Sequence, residues 1–182
     1  GEPLPRRTTI ANVSEKSGAG GDMVIVSLDH EVSGLQGLAL TERQNIVYLQ
    51  IPDRYTPPRA IAAPQNTSAI IEADITTPLM FRYSAITFNA HRIHYDLPYT
   101  QEFEHYPDLV VHGPLQAQLL MDMATQQRDA APRMFTYRGV HPLFAGDALD
   151  LRATQESASE WNLCTVANGA HQTMQATAIW EI

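Results

Sequence analysis

The sequence has little of three things that each mark a class of protein: cysteine, clustered basic residues and long apolar runs. Its single cysteine, Cys164, lies in the apolar-rich run WNLCTVANG and can form no disulfide within the chain. We therefore interpret Cys164 as a small core residue of a protein from a reducing compartment. A nucleophilic thiol is the alternative interpretation, although no base is visibly paired with it in the sequence.

Basic residues are few and scattered. The chain has 12 Lys and Arg against 20 Asp and Glu, a formal net charge of -8. Phosphate binding needs clustered positive charge, so we expect no nucleic-acid partner. No run reaches the roughly 18 uncharged apolar residues that cross a bilayer, and no apolar signal core is found. We expect no membrane partner and a cytoplasmic location.

Strand patterns dominate both ends of the chain. Three runs of β-branched and apolar residues with interleaved polar residues fill the first third, separated by SGAGG and GLQG. This pattern predicts an antiparallel meander without a helix. The segment 51–77 contains four prolines and few bulky apolar residues, which is typical of a linker.

One long helix is predicted over GPLQAQLLMDMATQQR, where Leu115, Leu119, Leu120 and Met123 fall on one face. Pro114 suits the first helical turn, where its missing N–H leaves no partner unsatisfied. About four further antiparallel strands follow the helix. A helix packed on an antiparallel sheet is an α+β arrangement.

A polar cluster interrupts this regular pattern. The stretch TFNAHRIHYDLPY, residues 87–99, contains Asn89, His91, His94 and Asp96. Polar residues beside a turn are commonly structural, and that interpretation stays open for Asp96 and His91. A metal site is a second interpretation, with His112 as a further ligand, but the spacing matches no strong ligand pattern. We expect no metal.

The segment that opens the long helix favours a reaction centre instead. His112 and Gly113 lie directly before that helix, so the Gly113 amide belongs to the partially positive helix amino end. A carbonyl oxygen that becomes an enolate would be stabilised there, and glycine lets a ligand approach the backbone closely. With nearby histidines and the apolar run DLVVHG, the pattern suits acid–base work on a carbonyl compound.

The polar stretch 87–99 is preceded by FRYSAITFN and followed by YPDLVVHGPLQAQLL. Together these segments resemble the MaoC-like enoyl-thioester hydratases of the hot-dog fold. The likeness is strongest to the branch of hydroxyacyl-thioester dehydratase type 2 and the mesaconyl-CoA and itaconyl-CoA hydratases. The family histidine matches His94, and its VHG matches residues 111–113. The family's asparagine and proline positions hold His91 and Arg92. Its catalytic aspartate position holds Asn89, which cannot accept a proton as a carboxylate does.

The resemblance also implies an organisation. Residues 78–182 correspond to the catalytic MaoC-like domain, and PLFAGDALDL matches the family's strand-turn-strand after the helix. Residues 1–50 correspond to a partial, degenerate amino-terminal hot-dog repeat, with 51–77 as linker. In a double hot-dog protein we expect the early strand and helix of that repeat to lie upstream of Gly1. By analogy we expect a homodimer or higher homo-oligomer.

The resemblance implies reversible hydration of a short or dicarboxylic enoyl-CoA, with no cofactor, in the cytoplasm or alternatively the mitochondrial matrix. His94 would be the general base and acid, Asn89 would orient water, and the Gly113 amide would stabilise the enolate. Four further side chains are predicted to line the pocket or support the histidines: His91, His112, Arg82 and Asp96. Arg82 is alternatively a surface strand residue.

Three other functions fit the same resemblance. The chain could dehydrate 3-hydroxyacyl groups on acyl carrier protein in fatty acid synthesis, or act as a hot-dog thioesterase that attacks the carbonyl beside the same Gly113 donor. It could also bind acyl thioesters without catalysis, a possibility that Asn89 supports. Release of a free thiol separates hydrolysis from hydration, and tight binding without turnover identifies a binding module.

Overall fold

A computed structural model describes residues 1–18 and 21–181, which form eight β-strands, three α-helices and one 3₁₀ turn. The strands are β1 Arg6–Gly18, β2 Gly21–Gly34, β3 Gly37–Leu49, β4 Ala69–Ala73, β5 Met134–Gly139, β6 Leu149–Gln155, β7 Glu160–Ala167 and β8 His171–Ile179. The helices are α1 Thr77–Ile86, α2 Leu97–Glu102 and α3 Gly113–Arg128, and the 3₁₀ turn is Arg92–His94. The chain divides into two compact units, Gly1–Pro52 and Asp53–Ile182.

The first unit is the antiparallel meander that the sequence predicts, in the order β1-β2-β3. Gly37 has a φ of 104° in the turn between β2 and β3, a conformation that glycine adopts without a steric penalty. Val26 on the central strand lies opposite Val13 and Ile46. Apolar residues therefore stand side by side on one face of this sheet, and several of them, including Val13, are exposed.

The second unit has a five-stranded antiparallel sheet in the order β4-β6-β7-β8-β5, with α3 packed on it. Burial alternates along β6, as expected of a strand with one face on a core. The core joins the buried face of α3 to the sheet, with Leu115, Leu120 and Met123 from the helix and Leu151 and Met174 from β6 and β8. The observed α3 has the bounds of the predicted helix, and the α+β class is confirmed.

Besides the short α2, two elements differ from what the sequence predicts. β4 falls inside the segment interpreted as a linker and pairs with β6, because Ile71 packs against the core. The apolar run that includes Arg82 is helix α1 rather than a strand. The Thr76 hydroxyl caps this helix by accepting the Leu79 N–H at 3.3 Å, and a proline stands in its first turn.

None of the helices in the described part of the chain has the length and apolar character that crossing a bilayer requires. Cys164 is buried on β7, as expected of a core residue. Burial raises the pKa of its thiol to about 11, which keeps the sulfur protonated at neutral pH.

Candidate active site

The polar stretch is held in place by α1. The Asn89 N–H donates to the Ser84 carbonyl at 2.9 Å, and the Asn89 side-chain oxygen accepts the His91 N–H at 3.0 Å. Phe88, between them and the helix, has a φ of 55°, which is uncommon for a non-glycine residue. This sharp turn directs the chain from α1 into the 3₁₀ turn that carries His94.

His94 is buried and is fixed by one hydrogen bond. Its Nδ1 lies 2.6 Å from the Val110 carbonyl oxygen, and the residue as a whole is 7% exposed. Since a carbonyl oxygen only accepts, Nδ1 carries the proton. In the neutral ring, Nε2 is then the nitrogen with a lone pair, which is the state a general base requires.

The Val110 carbonyl is itself held by short backbone pairing. The Val110 N–H donates to Ile93 at 2.9 Å, and Val110 forms an isolated bridge with Phe144. The next residue, Val111, donates its N–H to Leu143 at 2.8 Å. The acceptor that fixes the orientation of the His94 ring therefore belongs to a segment that is hydrogen-bonded on both sides.

His112 forms a flat support for His94. The two rings stack with centroids 3.7 Å apart and an interplanar angle of 19°. His112 is fully buried, its Nε2 lies 2.8 Å from the Ser84 hydroxyl, and the Tyr83 ring meets it edge-on. Its Nδ1 has no hydrogen-bond partner among the described protein groups. A buried polar atom of this kind usually has a partner, which water or a ligand would provide here.

The surroundings keep both stacked histidines neutral at physiological pH. Burial lowers the pKa of His94, and so does the nearby His91, whereas the Val110 carbonyl and Glu104 raise it. Burial lowers the pKa of His112 to about 4, with His94 as a second cause. A neutral pair avoids placing two positive charges on stacked rings in a site that is largely shielded from solvent.

Gly113 begins α3 directly after His112. The helix's own hydrogen bonds start with the Gln116 N–H, which donates to the His112 carbonyl at 3.2 Å. The Gly113 amide precedes that bond, so the helix does not use it, and Pro114 has no N–H. A Cβ at Gly113 would meet the Met174 methyl at 3.8 Å, an ordinary contact. The protein packing alone therefore does not require glycine at this position.

The remaining predicted site residues are placed differently. His91 meets His94 edge-on, with centroids 5.7 Å apart, and its Nε2 lies 2.8 Å from a Glu104 carboxylate oxygen. Asp96 caps α2 by accepting the Tyr99 N–H and is paired with Arg92 at 2.6 Å. Arg82 is an exposed residue of α1. The structure thus brings four predicted residues together: Asn89, His91, His94 and His112.

Sequence reasoning missed three contributors: the Ser84 hydroxyl, the Val110 carbonyl and the Glu104 carboxylate. Each reaches its histidine across a sequence gap of 28, 16 and 13 positions respectively. A spacing that long has no local signature, although the capping signal TTP at the start of α1 could have placed Ser84 on a helix. No group of three or more His, Cys, Asp or Glu suited to a metal ion occurs within residues 1–18 and 21–181.

Comparison with known proteins identifies related sequences. The profile of the family hydroxyacyl-thioester dehydratase type 2 matches residues 1–145. Mesaconyl-C(4)-CoA hydratase of Chloroflexus aurantiacus is 39% identical over 165 residues, 84% of this chain and 59% of that protein. The mitochondrial hydroxyacyl-thioester dehydratase type 2 of Schizosaccharomyces pombe is 32% identical over 133 residues, 68% of this chain and 42% of its own length. The chain spans about half the length of these relatives.

A solved structure identifies the fold. A Mycobacterium tuberculosis protein described as having a double hotdog fold superposes with a TM-score of 0.65 at 16% identity, covering 98% of this chain and 70% of the other. With the matched profile and the 39% identical relative, these findings show that the chain belongs to the hydroxyacyl-thioester dehydratase type 2 family and has the hot-dog fold.

Proposed function

We propose that the protein catalyses the reversible addition of water across the α,β double bond of an enoyl-CoA thioester. The observation that carries this proposal is the state of His94, whose Nδ1 is committed to the Val110 carbonyl at 2.6 Å. Its Nε2 is left as an oriented base, and the His94 ring stacks on His112, the residue directly before the Gly113 amide at the start of α3. The names of the curated relatives, a hydratase and a dehydratase, support the same reaction.

In this reaction His94 Nε2 takes a proton from water as the water oxygen bonds to the β-carbon. The electron pair of the double bond moves towards the thioester oxygen and forms an enolate, which the Gly113 N–H stabilises at the positive end of α3. The proton then passes from His94 to the α-carbon. Asn89 orients the water through its side-chain amide. No cofactor is required, since the thioester itself makes the α-proton acidic.

We propose a short or dicarboxylic enoyl thioester as the substrate, with mesaconyl-CoA and itaconyl-CoA as the first candidates. The name of the Chloroflexus relative supports this class. A second carboxylate would need a cation, and Arg92 is occupied by Asp96 and by the face of Tyr99 at 4.1 Å. Arg82 has an exposed side chain with no ion pair among the described residues, and we propose it for this role.

We also propose that residues 78–182 carry the chemistry, that the protein forms a homodimer or higher homo-oligomer, and that it works in the cytoplasm. The fission yeast relative is named a mitochondrial protein, so the mitochondrial matrix is the alternative location. Dehydration of 3-hydroxyacyl groups on acyl carrier protein is the alternative activity, because that relative is named for a thioester rather than for CoA.

The test compares wild type, His94→Ala and His141→Ala for hydration of crotonyl-CoA, mesaconyl-CoA and itaconyl-CoA, followed by loss of enoyl absorbance. We expect His94→Ala to lower kcat by about 10²- to 10⁴-fold, the usual contribution of a general acid–base group. His141 contacts His171 and Pro142 instead, so His141→Ala should keep wild-type turnover.

The same samples separate the other functions. Release of free thiol by the wild type would contradict the hydratase assignment and identify a thioesterase. Tight calorimetric binding of crotonyl-CoA without turnover would show a binding module, as Asn89 in the carboxylate position suggests. Turnover of 3-hydroxyacyl groups on acyl carrier protein but not on CoA would show that the substrate is an acyl-carrier-protein thioester instead of the proposed CoA thioester. Unchanged kcat in His94→Ala would remove His94 from the mechanism.

A further inference from the structure

The site contains a carboxylate, although Asn89 is an amide. A Glu104 carboxylate oxygen lies 2.8 Å from His91 Nε2, and the Glu104 side chain is only 13% exposed. A carboxylate accepts, so Nε2 of His91 carries the proton in this bond. The His91 backbone N–H is held at the same time by the Asn89 side chain at 3.0 Å. His91 thus links the amide at position 89 to the carboxylate at position 104.

The chain directs Glu104 inwards through a folded turn after α2. The Phe103 N–H donates to the Tyr99 carbonyl at 2.9 Å, and the Tyr106 N–H returns to the Thr100 carbonyl at 3.1 Å. Between them His105 has a φ of 61°, a left-handed conformation that costs a non-glycine residue free energy and that surrounding contacts must maintain. The turn fixes Glu104 rather than leaving it as a mobile surface side chain.

The charge of Glu104 acts on the proposed base. His91 packs edge-on against His94, with ring centroids 5.7 Å apart. Glu104 raises the pKa of His94 in opposition to burial, and His91 is the other titratable group that affects it. In a half-buried site a charge a few ångströms away is only partly screened. The carboxylate therefore favours a positive charge on the His94 ring.

We propose that Glu104 is a positioning residue that holds His91 and supplies the negative charge that Asn89 lacks. As the O–H bond of water breaks, the proton goes to His94 Nε2, the oxygen bonds to the β-carbon, and Glu104 stabilises the imidazolium that results. Glu104 itself neither gains nor loses a proton. This inference rests on the proposed hydration, but its effect on His94 can be measured without substrate.

The test uses Glu104→Gln, which keeps a hydrogen-bond acceptor for His91 but removes the charge. We expect kcat for crotonyl-CoA hydration to fall about tenfold, with KM unchanged, because the imidazolium that forms on His94 loses a partly screened negative charge. Because Glu104 raises the pKa of His94, its loss lowers that pKa. The acidic limb of the kcat/KM profile should then move to lower pH, and the His94 ring signals in NMR should titrate at lower pH.

Glu102→Gln is the matched control, because Glu102 is an exposed carboxylate two positions earlier, at the end of α2. It should leave kcat and the His94 titration unchanged, and Glu104→Asp should restore part of the activity. A wild-type kcat in Glu104→Gln, or a lower kcat without a change in the His94 titration, would overturn the role of Glu104. If wild type hydrates no enoyl thioester, the proposed function fails, and the NMR titration alone decides on Glu104.

Discussion

At the scale of single residues, the site depends on the hydrogen-bond partner of each imidazole ring rather than on the number of histidines. His94 donates to a backbone carbonyl, His91 to a carboxylate, and His112 is tied to the Ser84 hydroxyl. Three rings of the same chemical type therefore have three different partners. Since the partner decides which nitrogen holds the proton, one ring is left as a base and the others support it.

Burial of His112 has a consequence for stability at low pH. Its pKa is about 4 in the folded protein, compared with 6.5 for an ordinary histidine. The unfolded chain therefore binds a proton more readily, and the stability that neutral His112 contributes is present above pH 6.5 and is lost as the pH falls towards 4. This difference between the pKa of His112 in the folded and in the unfolded chain corresponds to about 3 kcal/mol of free energy of unfolding.

We predict that the free energy of unfolding of wild type falls by about 3 kcal/mol more than that of His112→Gln between pH 7 and pH 4. Urea unfolding across this range, followed by circular dichroism, measures both. The acidic side chains contribute equally to the two proteins and cancel in the difference. Parallel stability curves for the two proteins would show that His112 is not the titrating group.

At the scale of elements, α3 is attached to the sheet by a buried polar contact as well as by its apolar face. The Gln116 side-chain oxygen accepts hydrogen bonds from Thr165 at 2.9 Å and from Thr173 at 2.8 Å. The two hydroxyls also lie 2.7 Å apart. Since Gln116 is in the first turn of α3, this triangle fixes the helix end that presents the Gly113 amide.

We predict that Gln116→Leu lowers the free energy of unfolding by about 1–3 kcal/mol, because it removes the shared acceptor of two buried hydroxyls. Adding Thr165→Val and Thr173→Val should recover most of that loss, since no buried donor is then left unsatisfied. Urea unfolding of the single, double and triple variants measures both steps. A triple variant less stable than Gln116→Leu would contradict the interpretation.

The predictability of each element follows from how local its signals are. The bounds of α3 could be predicted because its apolar spacing and Pro114 all lie within the helix. α1 is hard to predict because its apolar residues, among them the exposed Phe81 and Ile86, show no single buried face, and only the Thr76 cap and the proline in the first turn mark its start. His94 was found through a motif, whereas Ser84 and Glu104 could be found only after the chain had folded back on itself.

At the scale of the whole molecule, the second unit begins with a stretch that has little regular structure. Residues 56–60 lie in no strand or helix, and Arg59 is exposed. On one side Tyr55 packs on Tyr106 with centroids 5.2 Å apart, and on the other Ala63 donates to the Ala170 carbonyl at 3.0 Å. The chain is held at both ends of this stretch but not within it.

We predict that limited trypsin digestion cuts first after Arg59, because a protease needs several residues of unpaired, accessible backbone. Mass spectrometry of early fragments measures the site. Arg43 provides the comparison within the same chain, since it is exposed but lies within β3 and is paired with Asp29 at 2.7 Å. Cleavage after Arg43 before Arg59 would show that the meander opens more readily than residues 56–60.

The pairing of β4 with β6 joins a strand synthesised before the helices to one synthesised after them. Ile71 lies opposite Leu151, so closing the sheet brings together positions about 80 residues apart, with α1, α2 and α3 contained in the loop. Such non-local pairing carries a high entropic cost and folds slowly. The three histidines leave the ribosome before β6, β7 and β8, so the sheet on which α3 packs can form only after these strands have been synthesised. The apolar face of α3, whose first residue belongs to the candidate site, can therefore be covered only after synthesis of the strands that follow it.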